Sequence, residues 1–311
     1  LNGFARYDLT LSYRQMEDRS NAVASGLRQI GIERGMRTAV MVRPTREFFL
    51  LMFALFKLGA VPVMVDPGIA RSALKQALVE AEPGAFIGIP IAHAARRLFG
   101  WARSARIHVT VGRRWFWSGS TLAQVEALGA GAPSQLVDTA PDEIAAILFT
   151  SGSTGPPKGV PYRHRHFAAQ VEMLRTAFGV EPGGVNLPTF PPFALFDPAM
   201  GLTSIIPDMD PPRPSAASPR RLLYAIERFG VDQLFGSPAL LALPGRFHVV
   251  TTQLWQFFEH PPRVGVAAAY AMPLLMITIL LFWLQRRITH RKGYVALTGK
   301  GGERRPVPLG R

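Results

Sequence analysis

Short apolar, β-prone runs alternate along this chain with longer helical runs. That alternation restricts the possible folds more than any other feature of the sequence. Residues 12–30 read as a helix: Ser12 and Gln15 have capping-box spacing, and Met16, Val23, Leu27 and Ile30 share one helical face. Gly31 follows as a C-terminal stop. A strand is expected at 38–42, broken by Pro44, then an apolar helix at 47–58 ended by Gly59 and a strand at 61–65. Asp66-Pro67-Gly68 is a turn. Helix 70–81, strand 85–89, helix 91–102 and strand 107–111 follow. A second unit of the same kind starts at Ile144, with strands at 144–149, 186–190 and 231–235, helices at 164–178 and 220–229, and Pro238 opening another helix. Residues 129–140 form a polar linker, and 206–219, with five prolines, form a loop. The aromatic cluster Trp115-Phe116-Trp117 is assigned to packing. The class is α/β, with helices layered on mostly parallel sheets.

The 311 residues, 48% of them hydrophobic, suffice for one large domain or two ordinary ones. With no cysteine, a disulfide framework, a Cys-ligated zinc site and thiol catalysis are excluded. The net charge of +14 suggests nucleic acid until it is located. Residues 1–243 hold 25 Lys and Arg against 19 Asp and Glu, whereas 244–311 hold 10 against 2. The front part is only mildly basic and has no Lys/Arg stripe interleaved with aromatics, so no nucleic-acid partner is expected. The chain opens on Leu1 without a signal-peptide pattern, and it is read as starting partway into a gene product.

The chemistry concentrates in Thr150-Ser151-Gly152-Ser153-Thr154-Gly155-Pro156-Pro157-Lys158-Gly159-Val160. A hydrophobic strand delivers the chain to a sheet edge, and Gly152, Gly155 and Gly159 permit tight curvature and close ligand approach. Thr150, Ser151, Ser153 and Thr154 supply hydroxyls, successive N–H groups form an anion-binding concavity, and Lys158 adds a mobile cation. The set suits a polyphosphate. It is not a Walker loop, because Lys158 stands between Pro157 and Gly159. His164 and His166, two apart, fall on different sides of a helix and are assigned to packing; no metal site is expected.

This loop resembles the phosphate loop of the acyl-adenylate-forming superfamily of ligases. Leu11-Ser12-Tyr13, Lys57-Leu58-Gly59-Ala60-Val61-Pro62-Val63 and Gly236-Ser237-Pro238-Ala239-Leu240 extend the resemblance over residues 1–243. It implies the N-terminal domain of such an enzyme, incomplete here. It further implies ATP and Mg2+, with Thr150, Ser151, Gly152, Ser153, Thr154, Gly155 and Lys158 on the phosphates and Lys158 catalytic. A carboxylic acid would attack the α-phosphate to give acyl-AMP and pyrophosphate. The run Phe190-Pro191-Pro192-Phe193-Ala194-Leu195-Phe196-Asp197-Pro198-Ala199-Met200-Gly201 and Pro161-Tyr162-Arg163-His164-Arg165-His166-Phe167 look like those of bacterial olefin-biosynthesis β-lactone synthetases. That implies a long-chain β-hydroxy acid whose own hydroxyl displaces AMP, with Phe193, Phe196 and Asp197 at the acyl pocket. The family's adenine turn, magnesium-associated Glu, ribose-binding Asp and lid Lys have no counterpart in this sequence, so activity of this chain alone is expected to be low or nil.

Residues 264–284 contain no charged side chain. As a helix they would span roughly 32 Å, about one bilayer core. A transmembrane helix is therefore expected there, after a junction at 244–263 and before a basic cytoplasmic tail at 285–311. Residues 249–311 resemble a fragment of the membrane subunit of iron(III)-type ABC importers, which offers a membrane component as the alternative function. The ligase part is expected in the cytoplasm, yet a single inner-membrane span with a cytoplasmic tail would place it outside, where ATP is scarce. Two unrelated gene fragments joined near residues 241–246 reconcile these readings. The sequence assigns no oligomeric state.

Overall fold

Ser12 opens the first helix as its spacing demands. Its hydroxyl accepts from the Gln15 N–H at 3.2 Å, and the Gln15 side chain accepts from the Ser12 N–H at 2.9 Å. The computed structural model describes Tyr7, Leu240 and residues 9–65, 70–132, 136–150, 157–210 and 213–236. All belong to the first of the chain's two units, Leu1–Leu241. The expected turn at 66–68, loop residues 151–156, the helix opened by Pro238, the junction at 244–263, the membrane span at 264–284 and the tail at 285–311 lie outside the described residues. Among the described residues, no helix is long and apolar enough to cross a membrane.

The front elements follow the expected alternation: α1 (Tyr13–Gln29), β1 (Arg37–Met41), α2 (Arg46–Leu58), β2 (Val61–Val65), α3 (Arg71–Ala81), β3 (Ala85–Gly88), α4 (Pro90–Phe99) and β4 (Ile107–Thr110). Two short elements follow, β5 (Ser120–Thr121) and α5 (Leu122–Leu128). Then come β6 (Ile144–Thr150), β7 (Lys158–Arg163) and α6 (His164–Phe178). The strand order is β5-β4-β3-β1-β2-β6-β7. Every neighbouring pair is parallel except β6–β7, an antiparallel hairpin. The expected long loop to Val160 is therefore shorter: residues 158–160 already belong to a strand.

The remaining elements are β8 (Val185–Pro188), a 3-10 turn at Pro191–Leu195, α7 (Asp197–Met200), β9 (Thr203–Ser204), α8 (Pro219–Phe229) and β10 (Gln233–Phe235). They build a second, three-stranded parallel sheet in the order β10-β8-β9. The main core joins Val23 and Leu27 of α1, the apolar face of α2, Ile87 of β3 and Val125 of α5. Glycines let α1 and α5 approach closely. A Cβ on Gly26 would stand 1.9 Å from the Val125 carbonyl oxygen, and one on Gly129 would stand 2.0 Å from that of Ala22.

The aromatic cluster at 115–117 splits. Trp117 is buried, and its indole N–H donates to Thr110 Oγ1 at 2.9 Å, while Trp115 and Phe116 are exposed. The Trp117 ring stacks on His93, which is fully buried and donates from Nε2 to the Val109 carbonyl at 3.0 Å. Burial, reinforced by the Arg96 charge and by His93, holds His108 down to about 4.

Replacing Gly26 by alanine is expected to destabilise the chain by about 1–3 kcal/mol through overpacking against α5, read as a lowered urea midpoint. Acid exposes the histidines. The unfolded chain protonates His108 near pH 6.5, but the folded chain resists until about 4. The unfolded state thus binds more protons in that window. Stability is complete above pH 6.5 and declines toward pH 4, a decline shared with His93, whose pKa burial also lowers. Urea midpoints measured across this range should fall in the parent chain and fall less in His108→Gln.

Candidate functional site

The β6–β7 hairpin fixes both ends of the expected phosphate loop. Its last backbone pair is Thr150↔Lys158, preceded by Phe149↔Gly159 and Leu148↔Val160. β2 and β6 are parallel with Val65 opposite Phe149, so this end of the hairpin lies at their carboxyl ends, the edge at which open α/β sheets bind ligands. Lys158 is exposed at the loop's exit and has no ion pair or side-chain hydrogen bond among the described residues. Ser151, Gly152, Ser153, Thr154 and Gly155 lie outside the described residues, and of Thr150 only the backbone pairing is described.

Gly159 does something other than the sequence reading assigned to it. It lies within β7, where a Cβ would meet the Phe149 ring at 2.8 Å and Ile147 Cγ2 at 3.1 Å. Phe149 is buried at 3% exposure, so that ring has no room to retreat. Gly159 lets the buried face of β6 close under β7 and contributes no loop flexibility. The other end of the hairpin is pinned by charge. Glu143 forms a two-pronged ion pair with Arg34 and accepts from the Ala140 N–H, and these contacts hold its pKa at about 2.

The expected acyl-pocket residues separate into two groups. Phe193 and Phe196 belong to a continuous aromatic row. Phe235 of β10 stacks on Phe193 at 4.1 Å; Phe193 meets Phe196 at 6.1 Å, Phe196 meets Phe167 of α6 at 5.8 Å, and Phe167 meets Phe56 of α2 at 6.0 Å. Tyr162 of β7 stacks on Phe167 at 5.7 Å, and Phe190 flanks Phe193 at 5.6 Å. Phe190 opens the run that hints at the acyl pocket, whereas Phe167 and Phe235 are not among the expected pocket residues. Their signal was recurrence of phenylalanine on separate elements, which has no fixed spacing in sequence. Asp197 turns the other way. It is fully buried, accepting from Asn186 Nδ2 at 2.8 Å and from the Ser204 hydroxyl. Both oxygens of its carboxylate, expected at the acyl pocket, are thus engaged by side chains of β8 and β9.

A cleft of about 540 Å³ lies between α2 and α6, with Phe53, Phe56, Phe167, His164 and Val137 in its lining. It lies at the Ile144↔Arg163 end of the hairpin. Five extended steps along β7, about 17 Å, separate that end from Lys158. The cleft is thus distinct from the loop edge. His166 Nδ1 accepts from the Arg163 N–H at 3.2 Å, which gives that histidine a helix-start role. Among the described residues, no three His, Asp or Glu side chains gather in a way that could hold a metal.

A model of the AMP-binding enzyme family matches residues 4–255. The match runs past 243 into the stretch read as a junction. The chain is 69% identical over 240 residues to an olefin β-lactone synthetase of Xanthomonas campestris pv. campestris, covering 77% of this chain and 43% of that protein. It is 67% identical to one of Stenotrophomonas maltophilia, covering 77% and 44%. The chain thus spans less than half the length of these curated relatives. Among solved structures, a long-chain-fatty-acid-CoA ligase of Archaeoglobus fulgidus superposes with TM-score 0.65 at 18% identity, covering 78% of this chain and 48% of that one. An anthranilate CoA ligase in complex with anthranoyl-AMP gives 0.67 at 18%, covering 76% and 48%. These two likenesses bear on the fold alone.

Gly159→Ala should lower the chain's melting temperature, at a cost of about 1–3 kcal/mol for overpacking. Lys158→Ala, on an exposed side chain, should stay within about 0.5 kcal/mol of the parent. Thermal unfolding of the two variants checks both.

Proposed function

The chain belongs to the AMP-binding enzyme family, and on that premise we propose that it carries the ATP-phosphate loop and acyl wall of a ligase that activates a long-chain carboxylic acid, in the manner of the olefin β-lactone synthetases to which it is similar. An acid carboxylate attacks the α-phosphorus of ATP, the bond to the β-phosphate oxygen breaks, and acyl-AMP and pyrophosphate result. With a β-hydroxy acid, the substrate's own hydroxyl then attacks the acyl carbon, loses its proton and expels AMP, closing a β-lactone.

The observation that carries the reading is the hairpin closure, which sets Lys158 opposite Thr150 at the carboxyl edge of the sheet. The donor set fits a triphosphate. Thr150, Ser151, Ser153 and Thr154 offer hydroxyls, Gly152 and Gly155 leave backbone N–H groups accessible, and Lys158 offers an ammonium. From residue 144 to 171 the chain contains no carboxylate to repel the phosphates, only Lys158, Arg163, Arg165 and histidines. Rigid donors placed in advance are the main means of catalysing phosphoryl and adenylyl transfer. Magnesium accompanies nucleotides in this chemistry. Among the described residues no three His, Asp or Glu side chains gather to hold it. The partner is a small acyl substrate, met by the aromatic row through Phe193, Phe196 and Phe235.

Pyrophosphate–ATP exchange with 3-hydroxyhexadecanoic acid tests the reading, in this chain and in a full-length relative bearing the same front segment. Lys158→Ala should reduce exchange by about a hundredfold, the loss typical of one preorganised donor. No exchange in the relative, or exchange indifferent to Lys158, would sink the assignment.

A further inference from the structure

Three facts about Asp197 stand apart from the loop chemistry. It has no exposed surface, each of its carboxylate oxygens has a donor, and it immediately follows the turn that carries Phe193 and Phe196. Its two side-chain partners are not arbitrary neighbours. Asn186 and Ser204 are register partners on the adjacent parallel strands β8 and β9, and each donates to a different oxygen of the one carboxylate. The backbone carbonyl of Asp197 accepts from the Leu202 N–H at 3.0 Å, and the Leu202 carbonyl in turn accepts from the Tyr13 hydroxyl of α1.

The buried cluster here joins Val180, Met200 and Leu202, with Val171, Leu174 and Phe196 packed against it, and β8 pairs with β9 at two positions. Apolar contact is non-directional and does not fix how the Pro191–Leu195 turn rotates over the sheet. Two hydrogen bonds to two strands do fix it, because each bond constrains both distance and angle. The rotation matters because it sets where Phe193 meets Phe235 and where Phe196 meets Phe167.

We propose that Asp197 is a positioning residue: its buried carboxylate, clamped by Asn186 and Ser204, fixes the pose of the Phe193–Phe196 segment and so determines how long an acyl chain the aromatic wall accepts. The inference rests on the acyl-binding reading above. Asp197 itself touches no substrate.

The test uses the full chain labelled with fluorophenylalanine, with the Phe193 and Phe235 fluorine signals assigned by single leucine substitutions. Asp197→Ala leaves the Asn186 amide and the Ser204 hydroxyl without an acceptor. It should move or broaden the Phe193 and Phe235 signals while that of Phe86, in the separate core around Trp101, stays in place. Asp197→Asn keeps one oxygen for Asn186, and its new N–H group can donate to a rotated Ser204 hydroxyl, so it should restore the parent spectrum. In parallel, calorimetric affinities are compared for 3-hydroxyoctanoic and 3-hydroxyhexadecanoic acid. The long-to-short affinity ratio should fall on the order of tenfold in Asp197→Ala, the effect of losing contact with about two methylene groups, and recover in Asp197→Asn. An unchanged ratio with unchanged fluorine signals in a folded Asp197→Ala variant overturns the inference alone. Failure of the parent chain to bind either acid overturns the acyl reading, and the specificity role with it.

Discussion

From Glu47 to Leu58, no residue of α2 is exposed, and the rest of the unit is arranged to satisfy that condition. Its broad apolar face must be covered, and Phe53 and Phe56 on its flank line the cleft. α1 covers one flank with Val23 and Leu27, strand residues such as Val40 and Ile87 line another, and Phe56 reaches Phe167 of α6. The one cation inside this helix is handled with matching economy. Lys57 has three N–H donors, and α1 supplies acceptors for them in the Glu17 carboxylate at 2.8 Å, Ser20 Oγ at 2.8 Å and Asn21 Oδ1 at 2.6 Å. The same contact depresses the Glu17 pKa. The block Lys57–Val63 that resembles the family is therefore, in physical terms, the hinge between a buried helix end and the strand that follows Gly59.

Where local chemistry was decisive, the sequence was legible. Ser12 and Gln15 form the capping box their spacing implies, and Gly59 takes the positive φ of 65° that ends α2. The alternation of runs predicted the parallel sheet. It did not predict β7, because Pro157, Gly159 and Pro161 look like loop residues unless their partner strand is known. Antiparallel pairing with β6 leaves Pro161 on an outer strand, where its missing N–H costs little, and Gly159 is required by the Phe149 ring. α5 escaped notice for a different reason. It is seven residues long, and its capping box at Thr121 and Gln124 sits behind an aromatic cluster that draws attention to packing. Asp197 is placed at the acyl pocket only by the resemblance of the run 190–201. Its partners Asn186 and Ser204 stand 11 and 7 residues away, on strands whose pairing no local pattern encodes.

The two sheets hold their parts of the site by different physics, and this shapes what each can do. The seven-stranded sheet is flanked by a broad apolar core, so the hairpin at its edge is anchored by burial of Phe149 and Ile147 and by the Arg34–Glu143 pair at its far end. A phosphate loop needs that kind of anchor, since small displacements of fixed donors weaken charge stabilisation steeply. The three-stranded sheet, around which Leu187, Leu202 and Ile205 are buried, is also tied by polar side chains. Asp232 accepts from the Val185 N–H at 2.8 Å, the Thr189 hydroxyl donates to the Phe235 carbonyl at 2.8 Å, and Asp197 spans β8 and β9. Under the proposed function, the acyl substrate meets the part tied by these polar side chains, and the nucleotide meets the edge held by the apolar core.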